Sequence, residues 1–248
     1  MRVSANELMT SLKRAFEGLG FPQGAYEDAA AMVLWMETRG FDGLDTLKAG
    51  LDRLRWPTKT PTLLDEDEHH ASIEGHGGNC LAIGAAAFDL AVAKARLAGY
   101  AEVELRNCGD RRFIVERLLG AAKRGLHCTA LWQTEVEPPR YRRVSVAAQA
   151  SSVLYGLQPG RAERDAGLSS IFLICAADAD DLNQKVALLC EPDRDLLSEI
   201  TSEELAQRHD AALEQGIQLE DSLWNSLDAL TANILVESTA ASRAGAGE

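Results

Sequence analysis

Residues 75 to 106 constrain the fold more than any other part of the chain. Gly75-His76-Gly77-Gly78 marks a tight turn, Leu81 to Leu97 is rich in Ala and Leu, Gly99 closes that run, and Ala101 to Arg106 alternates as a strand does. Ala85, Phe88, Leu90, Val92 and Ala95 spread apolar and small side chains around the intervening helix, which predicts that it is largely buried. A short strand at Ala71 to Glu74 precedes the turn. Phe113 to Lys123 then reads as a helix and Leu126 to Gln133 as a strand, so the chain alternates as α/β proteins do.

The flanking segments are helical. Leu8, Leu12, Ala15 and Phe16 recur at helical spacing over residues 5 to 17, behind a Ser4/Glu7 capping box. Gly18, Gly20 and Pro22 stop that helix, Gln23 to Arg39 forms a second closed by Gly40, and Leu44 to Leu54 a third ended by Trp56-Pro57. Thr58 to Pro61 and the acidic run Asp65 to Glu68 read as loop. Ile171 to Ala176 is a short, wholly apolar buried strand, followed by helices over Asp178 to Cys190, Ser198 to Gln215 and Glu220 to Leu235. Thr134 to Gly167 shows no period and contains Pro138-Pro139, which predicts loop with one strand at Val144 to Ala148. The expected organisation is therefore a helical segment over 1–57, an α/β core over 58–190 with 134–167 irregular, C-terminal helices over 191–237 packing on that core, and a disordered Ala/Gly/Ser-rich tail over 238–248.

Composition excludes several function classes. A formal net charge of -13 over 248 residues repels phosphate backbones and anionic lipid, so neither nucleic acid nor membrane is expected as a partner. No apolar run reaches the ~18 residues of a membrane span and Met1 to Glu7 has no leader-like apolar core, which predicts a cytoplasmic protein. The five cysteines, Cys80, Cys108, Cys128, Cys175 and Cys190, are widely spaced with no CxxC pair, so buried thiols are expected and neither a disulfide framework nor a zinc site.

Against this acidic background a few groups stand out. Arg140, Arg142 and Arg143, interleaved with Tyr141, present planar guanidinium forks suited to a carboxylate or phosphate, or else are surface charges paired with Glu135 and Glu137. The glycines at 75 to 78 would either shape a turn or let helix amides reach a phosphate, although the third glycine of a dinucleotide fingerprint is missing. His69, His70 and His76 lie near Asp65 to Glu68 without a regular ligand spacing, so no metal site is expected. Cys108 beside Asn107 is a nucleophile only if a base adjoins it. His127 and His209 read as incidental.

Two stretches resemble the malate/L-lactate dehydrogenase family, the nicotinamide-dependent 2-oxo-acid and cyclic-imine reductases that lack a Rossmann fold. The first is Gly20 to Leu54, through Gly20-Phe21-Pro22, Asp28-Ala29, Ala31 and Arg39-Gly40-Phe41-Asp42; the family continues Ser-His-Gly, where this chain has Gly43-Leu44-Asp45. The second is Gly75 to Gln133, where Arg106-Asn107-Cys108-Gly109-Asp110-Arg111-Arg112 stands at a family motif ending in His-Phe-Gly, and Ala121-Ala122 and Gly125-Leu126 hold the register. A weaker match runs from Pro192 to Leu230 through Gly216-Ile217. Leu44 and Asp110 thus occupy the positions of the family's two histidines, and the short interval from Gln133 to Ser170 implies a reduced cofactor domain. The segment from Val3 to Leu47 also resembles an uncharacterised bacterial domain family.

The resemblance implies an α/β (α+β) dehydrogenase-like core and a dimer with sites at its interface. An imidazole near neutral pKa passes a proton to a carbonyl or imine; Leu44 cannot, and Asp110 would do so only if it kept its proton through desolvation. The first expectation is therefore a pseudoenzyme: a non-catalytic homodimeric binding or scaffold subunit that partners an active enzyme and needs no cofactor. The alternative is an NADH- or NADPH-dependent oxidoreductase of a small anionic 2-oxo acid or cyclic imine, with Asp110 as acid and Arg111, Arg112, Arg140, Arg142 and Arg143 holding the substrate. A third reading is a regulator that binds a small anionic ligand without turnover.

Overall fold

The computed structural model describes residues 1–136, 138–161, 169–191 and 193–234. Helix α1 (Ala5–Gly18) starts at the expected capping box, with Glu7 N donating to Ser4 Oγ at 3.2 Å and Ser4 N to Glu7 Oε2 at 2.8 Å. Helices α2 (Ala25–Thr38) and α3 (Gly43–Gly50) follow, and a 3-10 turn at Leu51–Arg53 takes the place of the last helical turn expected there. The chain then enters a sheet through strands β2 (Thr62–Glu66) and β3 (His70–Glu74), having set aside β1 (Arg2–Val3) for a separate pairing near the C-terminus.

Helix α4 (Cys80–Ala98) connects β3 to β4 (Tyr100–Arg106), and these two strands are parallel, as a helical crossover permits. Asn79 caps α4 by accepting from Leu81 N at 2.9 Å, and Gly99 ends it at φ 89°, a conformation open to glycine. Among the described residues every other pairing in the sheet is antiparallel. Its order is β2-β3-β4-β8-β5-β6-β7-β9, with β5 (His127–Val136), β6 (Pro139–Val146), β7 (Val153–Pro159), β8 (Ile171–Ala176) and β9 (Leu197–Ile200).

Strand β8 lies between β4 and β5 and is buried on both faces, which is why its sequence is continuously apolar. Ile171, Leu173 and Cys175 join α4 and α5 (Val115–Ala122) in one core layer, while Phe172, Ile174 and Ala176 meet α6 (Ala179–Leu189) in another. A third layer joins the two ends of the chain. Leu8, Leu12 and Phe16 of α1 pack with Met32 and Met36 of α2 and with Leu223 and Leu227 of α8 (Asp221–Thr231). Strand β1 pairs there with β10 (Ile217–Gln218).

Three expectations about local structure are corrected. The segment read as irregular over 134–167 holds the end of β5, all of β6 and all of β7. Pro139 is tolerated because it is the first residue of its strand, and the arginines hide the strand period because a charged side chain stands on both faces, Arg142 toward a cavity and Arg143 buried against polar groups. The acidic run from Asp65 is partly strand: β2 is exposed along its whole length and its charges suit an edge. The helix expected from Ser198 begins only at Ser202 (α7, Ser202–Gln215), because Thr201 and Glu204 form a second capping box and the preceding residues pair with β7 as β9. The tail over 238–248, Leu235 and the pairing of Glu137 with the arginines lie outside the described residues.

All five cysteines are free and buried. The glycine turn is a structural one: Gly75, Gly77 and Gly78 donate to the carbonyls of Arg106, Asn107 and Gly75, leaving none of those amides for a phosphate. The histidines do not converge, since His69 stacks on Tyr100 with ring centroids 4.1 Å apart while His76 bonds Thr62 Oγ1 at 2.9 Å. Among the described residues no helix is long and apolar enough to cross a membrane.

Candidate functional site

A cavity of about 510 Å³ opens where the outer half of the sheet meets the first helices. Strand alternation builds its floor. Trp132 of β5 lies opposite Arg142 of β6 in the ladder, Val144 opposite Tyr155 of β7, and all four point to the same face. Phe41, Asp42 and Arg112 form the roof, with Arg208 of α7 at the side. Phe41 is fixed by stacking on Trp35 at 5.5 Å and by an edge contact to Tyr155 at 6.4 Å. Gly40, at φ 74°, lets Arg208 come close: a Cβ there would lie 3.1 Å from the guanidinium, which donates to Arg39 O at 3.1 Å.

The lining charges are unequal. Arg112, Arg142 and Arg208 face one carboxylate, Asp42, which stands 3.6 Å from Arg112. Arg112 also donates to Phe41 O at 3.2 Å. Among the described residues no carboxylate pairs with Arg142. Its pKa is lowered by burial first and then by the neighbouring Arg112, with Tyr155 opposing, although a guanidinium remains protonated at any physiological pH. Aromatic walls and guanidinium groups together suit an anion attached to a small apolar or planar body.

Of the residues singled out from the sequence, the fold brings Arg112 and Arg142 into this cavity and sends the others elsewhere. Arg143, next in sequence to Arg142, projects through the opposite face, where its Nε donates to Ser145 Oγ at 2.8 Å and it reaches Gln158 Oε1 at 3.5 Å. Arg140 stands nearer the hairpin end and does not line the cavity. Arg111 turns to Ser170 O at 3.5 Å. Asp110 takes a left-handed backbone, φ 48°, accepts from Asn79 Nδ2 and packs against Gly50 at the end of α3, outside the cavity.

Leu44 is a buried core side chain, and its backbone N–H donates to Glu37 Oε2 at 2.9 Å. Burial pushes the Glu37 carboxyl up, partly opposed by that bond. The Cys108 thiol is pushed well up by the adjacent Cys80 thiol and by burial, so it has no thiolate character to offer as a nucleophile. Arg208 was not legible in the sequence. It is one of several charges on an exposed helix, and only the packing of α7 across α2 brings it to the cavity.

A family model described as a protein of unknown function (DUF3726) matches residues 3–87. No curated protein matches the chain. Among solved structures, the chain is similar to malate dehydrogenase from Pyrococcus horikoshii OT3 with a TM-score of 0.68 at 15% identity, covering 96% of each chain. It is similar to a dehydrogenase from Sinorhizobium meliloti with a TM-score of 0.64 at 17% identity, covering 93% of this chain and 99% of that one. The delta1-piperideine-2-carboxylate reductase from Pseudomonas syringae pvar. tomato gives a TM-score of 0.57 at 13% identity, over 93% and 99%. The chain therefore has a malate/lactate dehydrogenase-like α/β fold, as the sequence motifs imply, at the sequence distance of a divergent relative.

Proposed function

We propose that this protein uses a dehydrogenase-like fold to bind a small anionic ligand without turning it over, as a binding or scaffold subunit. The observation that carries the reading is Arg142, a half-buried guanidinium with no carboxylate partner among the described residues, set between Trp132 and Tyr155 and facing Arg112 and Arg208. Such a cation stabilises an entering carboxylate through charge-assisted hydrogen bonds of about 1.5–3 kcal/mol each. Among the described residues no histidine lines the cavity, and Asp42 is the one carboxyl group that does. The cavity thus offers anchoring without the near-neutral proton donor that carbonyl reduction needs.

Isothermal titration with a panel of 2-oxo acids and cyclic imino acids tests this directly. A carboxylate that binds the wild type and loses about ten- to a hundredfold in affinity with Arg142→Gln supports the site. Absence of binding by every member of the panel at millimolar concentration sinks it. Titration with NADH and NADPH, alone and with the bound acid present, separates the oxidoreductase reading, because turnover of cofactor sensitive to Asp110→Asn would replace the binding role with a catalytic one. The dehydrogenase-like fold favours that second reading; the separation of Asp110 from the cavity weighs against it. A homodimer belongs to the proposal and is read by sedimentation, and pull-down with an active dehydrogenase of the same fold reads the scaffold role.

A further inference from the structure

A second cleft, of about 290 Å³, lies beyond the C-terminal turn of α2, where α5 and the start of α7 come together. Arg39 and Lys123 line it, with the hydroxyls of Ser151 and Ser202 and an apolar side made by Trp35 and Leu205. Among the described residues no carboxylate lines it. In a chain with a net charge of -13, two cations and two hydroxyls around one recess are a departure from the prevailing surface.

Of the acids nearby, two are engaged elsewhere and Glu116 is divided between Arg117 and the cleft's own cations. Glu116 approaches Arg117 Nε at 3.2 Å, Glu203 accepts from Gln207 at 3.2 Å, and Glu204 turns back to Thr201 N at 2.9 Å to complete the capping box. Arg39 is held in place with its guanidinium 5.0 Å over the Trp35 ring and a bond to Thr38 Oγ1 at 3.0 Å, neither of which neutralises it. The Lys123 ammonium and the two serine hydroxyls have no hydrogen bond or close ion pair among the described residues, and the Glu116 carboxylate is shared among three cations, Arg117, Arg39 and Lys123.

We propose that this cleft binds a phosphate monoester. A phosphoryl group at neutral pH carries about -1.5 to -2 charges and three strong acceptor oxygens. A guanidinium fork, a mobile ammonium and two hydroxyl donors answer both its charge and its acceptors. The apolar side at Trp35 and Leu205 receives the carbon part of the ester, which distinguishes it from bare phosphate. The site is independent of the carboxylate cavity. Helix α7 borders both, but Ser202 and Leu205 face this cleft whereas Arg208 faces the other.

The test is titration of the full chain with glycerol 3-phosphate, phenyl phosphate and inorganic phosphate, by calorimetry and by 31P line broadening. The esters are expected to bind, and more tightly than inorganic phosphate. Lys123→Gln and Ser202→Ala, both on exposed side chains that the fold does not need, should each weaken ester binding several-fold and together by more than about tenfold. Arg142→Gln should leave it unchanged, so failure here is distinguishable from failure of the carboxylate reading. Inorganic phosphate binding as tightly as the esters overturns the monoester assignment. Absence of ester binding at 10-fold above ~1 mM, or binding insensitive to both substitutions, overturns the site.

Discussion

Arg142 and Arg143 are neighbours in sequence, yet their guanidinium groups lie on opposite faces of the sheet. One lines the cavity beside Trp132 and Tyr155, and the other is buried on the opposite face against Ser145 and Gln158. A strand turns successive side chains to alternate faces, so the adjacent charges have separate electrostatic environments. Exchanging them one at a time separates binding from stability. Arg142→Gln should reduce carboxylate affinity by about ten- to a hundredfold with little change in melting temperature. Arg143→Met should leave affinity within about twofold while moving the melting temperature, since it removes the bonds to Ser145 and Gln158. Calorimetric titration and thermal unfolding of both variants check the contrast.

Gly50 ends α3 directly over Asp110. A Cβ at Gly50 would lie 2.5 Å from Asp110 Oδ2, an atom already held by Asn79. Replacing a helical glycine by alanine ordinarily stabilises by about 0.5–1 kcal/mol. Here the overlap outweighs that gain, and Gly50→Ala should destabilise by about 1–2 kcal/mol. In the Asp110→Ala background the same substitution should cost much less. A double-mutant cycle in urea showing no coupling between the two positions would contradict the contact.

The Glu37 carboxyl is pushed up chiefly by burial, with Asp45 and Asp42 adding to it and the Leu44 N–H opposing. A folded-state pKa above the unfolded value means that the native state binds more protons across the interval between them. Stability from this group is therefore present below its ordinary value of 4.5 and is lost as pH rises through the raised native value. Glu37→Gln keeps an acceptor for Leu44 N and removes the titration. The stability of that variant relative to wild type should rise with pH from acid to neutral, and a flat difference would locate the shift elsewhere.

Burial sets the reactivity of the thiols. All five are free and buried, and the Cys190 thiol is pushed up to about 11 by desolvation, against the opposing pull of Arg143 and Arg161. A thiol-specific disulfide reagent at pH 8 should find almost no fast-reacting group in the native protein and five in denaturant. Prompt labelling of one thiol in the native state would show that its surroundings open.

Local signals in the sequence determined the parts of this fold that local physics controls. The Ser4/Glu7 capping box, the small-residue helix α4 between its glycines and the apolar strand β8 each satisfy their own backbone and burial requirements within a short stretch, so residue pattern alone locates them. The motif around Asp42 and Asp110 likewise carried the dehydrogenase-like architecture. Strands β6 and β7 were not legible. Their hydrogen bonds are made to partners elsewhere in the chain, and Pro139 and the arginines erase the local period. The same limit applies to the site. Arg142 and Arg208 line one cavity only because β6 and α7 pack on either side of Phe41, and Asp110 is outside it because α3 takes its side chain. Periodicity fixes which face a side chain takes along its own strand or helix, whereas the meeting of faces from distant elements is decided by the packing of the whole chain.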